Sequence, residues 1–350
     1  MTTKNENVQA IYSGQKMISI PSLRPYFPML PTREAILEEI QKSWKLSQTF
    51  SSWTEKQQAY FLDMCTGVRG IKTTYDPFFK EYMNPEYAPE RLGDFLSNVL
   101  CQKVVVLKVL PNDTTRITAE NTLLITDIIV ELEDGSIVNV EMQKIGYAFP
   151  GERAACYSAD LLLRQYKRIK SSSTKETPDY RKIKPVYTII LFEKSPGEFK
   201  AFKETYIHNI SPKSDTGIQL QLLQNYVFIS LDIFLENRQN QDIRSKFDAW
   251  LLFFASDSPE DVIRIIEKYE EFKPLYEDVY ELCRNTEEIM GLFSKELFEL
   301  DKGTTRFMMD EMQDEIDSLQ MKNQKLTANL QEQDALIKKL QQELAEQRTK

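Results

Sequence analysis

The chain has 350 residues, of which 41% are hydrophobic and 28% charged, a composition typical of an ordinary globular protein with one sizeable core and appended segments, or with two small domains. The formal net charge of −9 and the sequence pI of about 5.1 argue against a protein that coats nucleic acid with an overall basic surface, so any such contact must be a local, salt-sensitive patch. A zinc site of the usual Cys/His kind is nearly excluded, because the scattered cysteines form no Cys-x-x-Cys pair and indicate reduced thiols; they are Cys65, Cys101, Cys156 and Cys283, and the single histidine is His208.

The N-terminal part predicts a flexible lead followed by a small helical cover. Residues 1–20 have no signal-peptide pattern, and no run in the chain approaches the roughly 18 to 20 apolar residues of a membrane helix. We therefore expect a cytoplasmic protein. Thr32 should cap a helix from Arg33 to about Leu46, and Thr54 should begin a second helix, from Glu55 to about Thr66.

Two strands joined by an Asp-Gly turn are the clearest feature of the sequence. Before them, Pro89 and Glu90 begin a helix, and residues 104–110 form an apolar, β-rich run. Residues 123–131 and 137–143 are rich in β-branched side chains, and the turn segment between them predicts that they pair as a hairpin.

The remaining globular part alternates helices with apolar strands. Residues 153–170 carry apolar side chains at helical spacing. Further helices are predicted at about 239–256, 259–269 and 275–300, and continuously apolar, central strands at 186–192 and 226–232. This order predicts an α/β fold with a mixed central sheet flanked by helices.

Polar side chains interrupt both strands of the hairpin. Asp127 lies in the first strand, and Glu141 and Gln143 lie in the second. A buried carboxylate is costly to desolvate and two nearby carboxylates repel, but a divalent cation offsets both effects. Oxygen ligands suit Mg²⁺ or Mn²⁺. The alternative, that these residues face solvent at an edge of the sheet, stays open.

The register of the hairpin decides whether the acids can meet. Directly opposed residues of an antiparallel pair share a face. If the numbers of paired residues add up to 268 or 270, Asp127 opposes Glu141 or Gln143; an odd sum places the acids on opposite faces. An even sum requires a loop with an odd number of residues, and Glu133-Asp134-Gly135 suits a three-residue loop with glycine in the left-handed conformation.

The motifs as a set resemble a known nuclease family. They comprise Tyr75-Asp-x-x-Phe-Lys80, Asp127 in a strand, Asp134-Gly-x-x-x-Asn-Val-Glu-Met-Gln143, Arg153-x-x-x-Tyr157 and Gln165. Over roughly residues 70–235 this pattern is similar to the PD-(D/E)XK family transposases, which are related to the Rpn recombination-promoting nucleases. The resemblance implies a restriction-endonuclease-like core and Mg²⁺-dependent phosphodiester cleavage of DNA.

Carried over residue by residue, the resemblance implies that Asp127 is the first motif acid and Glu141 the second. Gln143 stands where the superfamily more often has lysine, although the Rpn-like branch commonly has Glu-x-Gln. A lysine would stabilise charge or orient the attacking water, whereas glutamine can orient water but brings no positive charge. Lys144 is adjacent and should point to the other face. The departure bears on the rate more than on the reaction class.

The implied metal centre holds one or two Mg²⁺ (or Mn²⁺) ions. Its ligands are Asp127, Glu141 and the backbone carbonyl of Met142. Glu90, at the start of its helix, is a further candidate of the kind that some family members contribute. An acid in the first turn is more often explained by its interaction with the helix dipole.

Residues for binding DNA are predicted on the helix that follows the hairpin. Arg153, Tyr157 and Gln165 share one stripe of this helix and resemble the family pattern. Arg153 could reach the scissile phosphate or pair with an acid of the hairpin. A basic run that includes Arg164, Lys167 and Arg168 could grip phosphates, but it could also be the solvated, basic C-terminus of a helix.

The C-terminal tail carries apolar residues at alternating spacings of three and four, which predicts a coiled coil and a homodimer through residues 309–344. Asn323 falls at an a position, where a buried amide favours two strands. A long solvated single helix is the alternative. The seam residues are Met309, Met312, Ile316, Leu319, Asn323, Leu326, Leu330, Gln333, Ile337, Leu340 and Leu344.

These observations lead to an interpretation with two alternatives. The chain divides into a lead and helical cover (1–69), a nuclease-like core (70–235), a helical C-terminal subdomain (236–302) and a coiled coil (303–350). The core is interpreted as a metal-dependent DNA endonuclease associated with transposition or recombination. The alternatives are a catalytically inactive DNA-binding or assembly protein that retains the nuclease fold, and a coiled-coil scaffold with an incidental globular head.

Overall fold

The computed structural model of the protein describes residues 22–110, 128–144, 150–171, 179–220, 222–238, 241–298, 300–301, 312, 316, 319–327, 329–330 and 333. Contacts along the chain divide it into two compact units, residues 1–300 and 301–350. Within the described residues, no helix has both the length and the apolar character needed to cross a lipid bilayer. The finer division of the first unit at residues 70 and 236 stays an interpretation.

A mixed sheet of six described strands forms the centre of the first unit, as the sequence predicts. Its strands lie in the order β1-β2-β3-β4-β6-β5. The pairs β1–β2, β2–β3 and β5–β6 are antiparallel, and β3–β4 and β4–β6 are parallel. The strands are β1 (Val106–Val109), β2 (Ile128–Leu132), β3 (Ile137–Gln143), β4 (Val186–Phe192), β5 (Ile207–Ile210) and β6 (Gln224–Ser230).

Helices precede, connect and follow the strands, and residues 286–298 are also helical. The named helices are α1 (Arg33–Lys42), α2 (Trp44–Ser52), α3 (Glu55–Cys65), α4 (Asp76–Tyr82), α5 (Pro89–Val99), α6 (Pro150–Ser171), α7 (Gly197–Lys200), α8 (Leu231–Asn237), α9 (Lys246–Ala255), α10 (Pro259–Lys268) and α11 (Lys273–Glu281). The helix α6 is the crossover that a parallel β3–β4 pair requires.

The predicted helix from Arg33 to about Leu46 is wrong in its extent. Ser43 has extended backbone angles, φ −115° and ψ 119°, and therefore ends α1. Its hydroxyl accepts a hydrogen bond from the backbone N–H of Leu46, so the same residue begins α2. A serine side chain can accept a hydrogen bond from a nearby backbone N–H in place of a helical carbonyl, and this favours a break between two helices at such a residue.

The sheet separates two packed layers. On one side, Val138, Val140 and Met142 of β3 join the large core, which also contains the buried side chains of α5 and α9. On the other side, Ile137 of β3 packs with Leu161 of α6. We call this second side, on which the odd-numbered residues of β3 project, the α6 face.

The described residues of the second unit are helical. Five apolar residues of the heptad seam are among these described residues, and their side chains are between 46% and 61% exposed. They are Met312, Ile316, Leu319, Leu326 and Leu330. The helical conformation agrees with the heptad pattern, while the pairing of two such helices stays a prediction.

Candidate active site on the face of the sheet beneath helix α6

The hairpin has the register that allows acids on both strands to share a face. Ile128 pairs with Val140 and Val130 with Val138, so the paired residue numbers add up to 268. Leu132 N–H donates to the Ser136 carbonyl at 2.8 Å, which closes a three-residue loop. The predicted even register and odd loop length are therefore confirmed. Asp127 itself lies outside the described residues.

Gly135 and Asp134 account for this turn. Gly135 has φ +84°, a left-handed conformation that glycine adopts without steric cost. The Asp134 carboxylate accepts hydrogen bonds from the backbone N–H of Ser136 at 2.8 Å and from its hydroxyl at 3.0 Å. The local sequence thus fixes the loop length, and with it the face on which each residue of β3 projects.

Glu141 and Gln143 project together on the α6 face. They are 6% and 3% exposed, respectively, and Gln143 Nε2 lies 3.5 Å from Glu141 Oε1. Since β3 lies between β2 and β4, the alternative of solvent-exposed edge positions is wrong for these two residues. A carboxylate in such a place needs polar or charged neighbours.

Tyr157 of α6 lies near the same carboxylate, and Arg153 contacts Tyr157. The Tyr157 hydroxyl is close enough to Glu141 for the carboxylate to raise the pKa of the phenol, and Arg153 Nη2 donates to the Tyr157 hydroxyl oxygen at 3.2 Å. Tyr157 is buried and Arg153 is half-buried. Burial, and secondly the negative charge of Glu141, raise the pKa of Tyr157 well above its ordinary value, while Arg153 acts in the opposite direction. The phenol is therefore a neutral donor at physiological pH.

Residues 74–305, more than half of the chain, match the sequence profile of the family described as PD-(D/E)XK nuclease family transposase. The chain belongs to this family. A comparison with curated proteins found no match. The mixed sheet and its flanking helices are consistent with a PD-(D/E)XK fold, and membership in the family suggests a nuclease-related function.

Three of the other four predicted DNA-binding residues, Gln165, Arg164 and Arg168, have intramolecular partners on α6 or nearby. Gln165 is buried and exchanges two hydrogen bonds with the backbone of Lys184. Arg164 forms an ion pair with Asp160 at 2.7 Å. Arg168 lies 3.5 Å from Glu131, whereas Lys167 is exposed. The contacts of Gln165, Arg164 and Arg168 provide structural roles, and a role in binding DNA stays a prediction for all four residues.

Two further predicted metal ligands, the Met142 carbonyl and the Glu90 side chain, lie in different parts of the structure. The Gln143 carbonyl accepts a hydrogen bond from Glu193 N–H of the chain following β4. Successive carbonyls of a strand alternate in direction, so the Met142 carbonyl points toward the β2 side. Glu90 is exposed in the first turn of α5, whose buried residues belong to the large core rather than to the α6 face. Its participation in a metal centre stays a prediction.

Lys144 cannot take the place of the lysine that the PD-(D/E)XK pattern has at position 143. Its ammonium group is ion-paired with Glu296 and lies 4.1 Å from the centroid of the Tyr75 ring. Tyr75 and the Glu296 region pack against the large core, on the opposite side from Glu141. The sequence-based expectation that Lys144 points to the other face is confirmed.

Sequence reasoning missed a polar row beside the site. Asn139 and Thr188 are fully buried and are direct partners in the β3–β4 register. Their side-chain polar atoms have no hydrogen-bond partner among the described residues, and the same is true of Gln143 Oε1 and the Ser230 hydroxyl. The signal was present in β3, where polar residues occur at every second position, 139, 141 and 143.

The polar side chains of the candidate site offer oxygen atoms, the type of ligand that a hard divalent cation prefers. The described polar groups next to one another are the Glu141 carboxylate and the Gln143 amide, and oxygen donors are what Mg²⁺ and Mn²⁺ prefer. Among the described residues, no three His, Cys, Asp or Glu side chains converge on one point. A complete metal centre would need a further ligand from outside these residues, and Asp127 stays the predicted one.

Proposed function

We propose that the protein is a divalent-metal-dependent DNA endonuclease acting in transposition or recombination. The observation that carries the proposal is the hairpin register, in which residue numbers add up to 268, together with the burial of Glu141 on the α6 face. If the same pairing continues by one residue, Asp127 opposes Glu141 on that face. Two carboxylates at directly opposed positions on one face would repel each other, and Mg²⁺ or Mn²⁺ would offset the repulsion.

In this proposal, Asp127, Glu141 and the Met142 carbonyl hold the cation. When bound, the cation supplies positive charge against the phosphate oxygens and lowers the pKa of a bound water. The Gln143 amide, which lies beside Glu141, orients water through hydrogen bonds. The basic side chains of α6, among them Lys167, contribute contacts to the DNA backbone.

The direct test is nicking of supercoiled plasmid by the purified protein with and without Mg²⁺ or Mn²⁺. We expect metal-dependent nicking that falls at least about 100-fold in Asp127→Ala and in Glu141→Gln. Glu133→Gln is the matched control, since Glu133 is an exposed acid of the same hairpin. Nicking that persists in the Asp127 and Glu141 variants would exclude this site.

The presence of Gln143 at the lysine position favours one alternative, a DNA-binding or assembly protein that keeps the fold but does not cut. A metal that binds the native state raises its melting temperature. DNA binding without nicking, and with a melting temperature unchanged by Mn²⁺, would support the alternative over the endonuclease.

We also propose a homodimer through the seam of residues 309–344. Its support is that the seam residues Leu326 and Leu330 are exposed in the single chain, where pairing with a second helix would bury them. The double variant Leu326→Glu/Leu330→Glu should lower the mass in sedimentation equilibrium to that of a monomer. Met321→Glu, at an exposed residue outside the seam, is the control; an unchanged mass in the double variant would contradict pairing.

A further inference from the structure

The stretch of residues 164–184 carries a charge opposite to that of the whole protein. It contains eight lysines and arginines and two acidic residues, in a chain whose formal net charge is −9. Its described part comprises the end of α6 and a short 3-10 helix, Tyr180–Lys182, that precedes β4. A positive surface of this kind on an acidic protein attracts phosphates over a limited area.

Two tyrosines of this stretch stack on each other, one from each helix. The ring centroids of Tyr166 and Tyr180 are 5.9 Å apart, and the ring planes are inclined by 24°. Tyr166 is half-buried, whereas Tyr180 is 66% exposed. The face of the Tyr180 ring that points away from Tyr166 is therefore accessible, and a further flat ring can extend the stack.

Local contacts hold the two rings in place before a ligand arrives. The Asp179 carboxylate accepts a hydrogen bond from the Arg181 backbone N–H at 3.2 Å, which caps the short helix. The Gln165 amide, next to the tyrosine of α6, is bonded to both backbone polar groups of Lys184. This bond ties the two segments together, and a surface that is already ordered loses little conformational entropy on binding.

Lysines flank the stacked rings. Lys170 lies one turn after Tyr166 on the same side of α6, and Lys182 is two residues after Tyr180 in the short helix. Both lysines are exposed, as is Lys167. Each nucleotide of a DNA strand carries one negative phosphate, so lysines spaced along a surface neutralise successive phosphates.

Stacked rings flanked by lysines are the combination that binds unpaired nucleotides. A flat aromatic ring stacks on any base, because every base has a π-face, and lysines beside the ring follow the backbone. In a duplex, the neighbouring base pairs cover these faces. A surface that only gripped a duplex would need the lysines but no exposed ring. The accessible face of Tyr180 therefore favours a strand with unpaired bases.

The stacked rings lie close to the candidate active site along the sheet. Val186, two residues after Lys184, pairs with Ile137 at the start of β3, and Glu141 is four residues farther along that strand. Four residues of a strand span about 13 Å. This length corresponds to roughly four nucleotides at about 3.4 Å per step, so one short strand of DNA can contact both places.

We propose that Tyr166 and Tyr180, together with Lys167, Lys170 and Lys182, form a binding platform for an unpaired stretch of DNA. We call these five residues the tyrosine platform. The choice of DNA as the ligand rests on the proposed endonuclease function, whereas the preference for unpaired bases comes from the stacked rings. The substrate class is then DNA with a single-stranded region or an unpaired end.

The test measures DNA binding in EDTA, where metal-dependent cleavage does not occur. A fluorescent oligothymidylate of about 12 nucleotides and a mixed-sequence duplex of the same length are each titrated with the full chain and followed by fluorescence anisotropy. Tyr180→Leu keeps an apolar side chain but removes the ring, Tyr180→Phe keeps the ring, and Lys170→Gln/Lys182→Gln removes two charges. Tyr87→Leu is the matched control, because Tyr87 is a 77% exposed tyrosine between α4 and α5. Melting temperatures verify that each variant is folded.

We expect the oligothymidylate to bind more tightly than the duplex. Tyr180→Leu should weaken oligothymidylate binding roughly 5- to 100-fold, the range for the loss of one base–aromatic stack, and change duplex binding less than about 2-fold. Tyr180→Phe and Tyr87→Leu should bind as wild type. The double lysine variant should weaken binding of both ligands. It should also lower the slope of log affinity against log salt for the single strand by about 1.4, since each lost phosphate contact contributes about 0.7.

Four results would overturn the proposal. They are tighter binding of the duplex than of the oligothymidylate, wild-type binding by Tyr180→Leu, an equal loss for both ligands in Tyr180→Leu, and tighter binding of an oligouridylate of the same length. The third would show that the ring merely packs the short helix against α6, and the fourth would make RNA the ligand.

Nicking of supercoiled plasmid with Mn²⁺, measured on the same preparations, decides the endonuclease function separately. Binding of the oligothymidylate that depends on Tyr180, without nicking, would reject the endonuclease and keep the tyrosine platform as part of a DNA-binding protein. Nicking by a protein whose affinity for the oligothymidylate does not depend on Tyr180 would reject the platform and keep the endonuclease.

Discussion

The side-chain amide of Gln165 is hydrogen-bonded to both backbone polar groups of Lys184. Its Nε2 donates to the Lys184 carbonyl at 3.1 Å, and the Lys184 N–H donates to its Oε1 at 2.9 Å. Lys184 lies just before β4, so this pair ties the middle of α6 to the segment that enters the sheet. The residue that the family pattern marks as a DNA contact thus has a structural role in positioning the helix of the candidate site.

We expect Gln165→Ala to lower the free energy of unfolding by roughly 1–3 kcal/mol, because it removes two partly buried hydrogen bonds to the backbone of Lys184. Denaturant unfolding followed by circular dichroism measures this change. Gln219→Ala, at an exposed glutamine, should change stability by less than about 0.5 kcal/mol. A stability of Gln165→Ala equal to wild type, with weakened DNA binding, would instead indicate a direct DNA contact.

Two glycine-to-alanine substitutions should have opposite effects. Gly135→Ala places a side chain at φ +84° and brings its Cβ within 3.2 Å of the Lys184 side chain, which should cost about 1–2 kcal/mol. Gly291 lies in the helical segment 286–298, and nothing lies within 4 Å of an added Cβ. Gly291→Ala should therefore stabilise the protein by roughly 0.5–1 kcal/mol. The two melting temperatures, measured against wild type, check the signs; a Gly135→Ala protein as stable as wild type would contradict the importance of the turn for the register.

Removing one partner of the buried Lys144–Glu296 ion pair should lower the free energy of unfolding. The side chains are 12% and 1% exposed, so Lys144→Met leaves a carboxylate in the interior, with an expected loss of about 3–5 kcal/mol. The double variant Lys144→Met/Glu296→Leu removes both charges and should recover most of this loss. Equal stability of the single and double variants, measured by denaturant unfolding, would contradict the assignment.

Stability should fall at alkaline pH because buried tyrosines resist ionisation in the folded state. Burial is the largest cause that raises the pKa of Tyr75 to about 12, from an ordinary value of 10.0. Burial also raises the pKa values of Tyr60, Tyr276 and Tyr280. Above pH 10 the unfolded chain releases these protons while the folded chain keeps them, so the stabilisation that is complete below pH 10 is lost as the pH rises.

For Tyr75 alone the loss between pH 10 and 12 should be on the order of 1–3 kcal/mol. Unfolding free energies measured at intervals from pH 8 to pH 11, together with tyrosinate absorbance, test this. Tyr75→Phe should show a shallower decline than wild type. A free energy of unfolding that stays constant up to pH 11 would contradict the direction of these pKa changes.

Much of the fold followed from local pattern. The apolar runs predicted β4 and β6, but β6 begins two residues earlier than predicted and is followed by α8, which the apolar pattern did not separate from the strand. Helices were located more reliably than their ends: the helix predicted over about 239–256 begins at Lys246. The short edge strand β5 was missed, because four residues do not establish an alternating pattern.

The sequence by itself determined the hairpin and the shared face of Glu141 and Gln143. Side chains alternate with a period of two, so these two residues project on one side of β3, whereas the register and the three-residue loop were one of two alternatives until the structure was known. Only the tertiary structure decided what covers that face. The neighbours Tyr157 and Glu141, the hydrogen-bonded pair Gln165 and Lys184 and the ion pair Lys144 and Glu296 lie between 16 and 152 positions apart in the chain. Partners of buried polar groups depend on how distant elements pack, and the period of a single strand or helix carries no information about them.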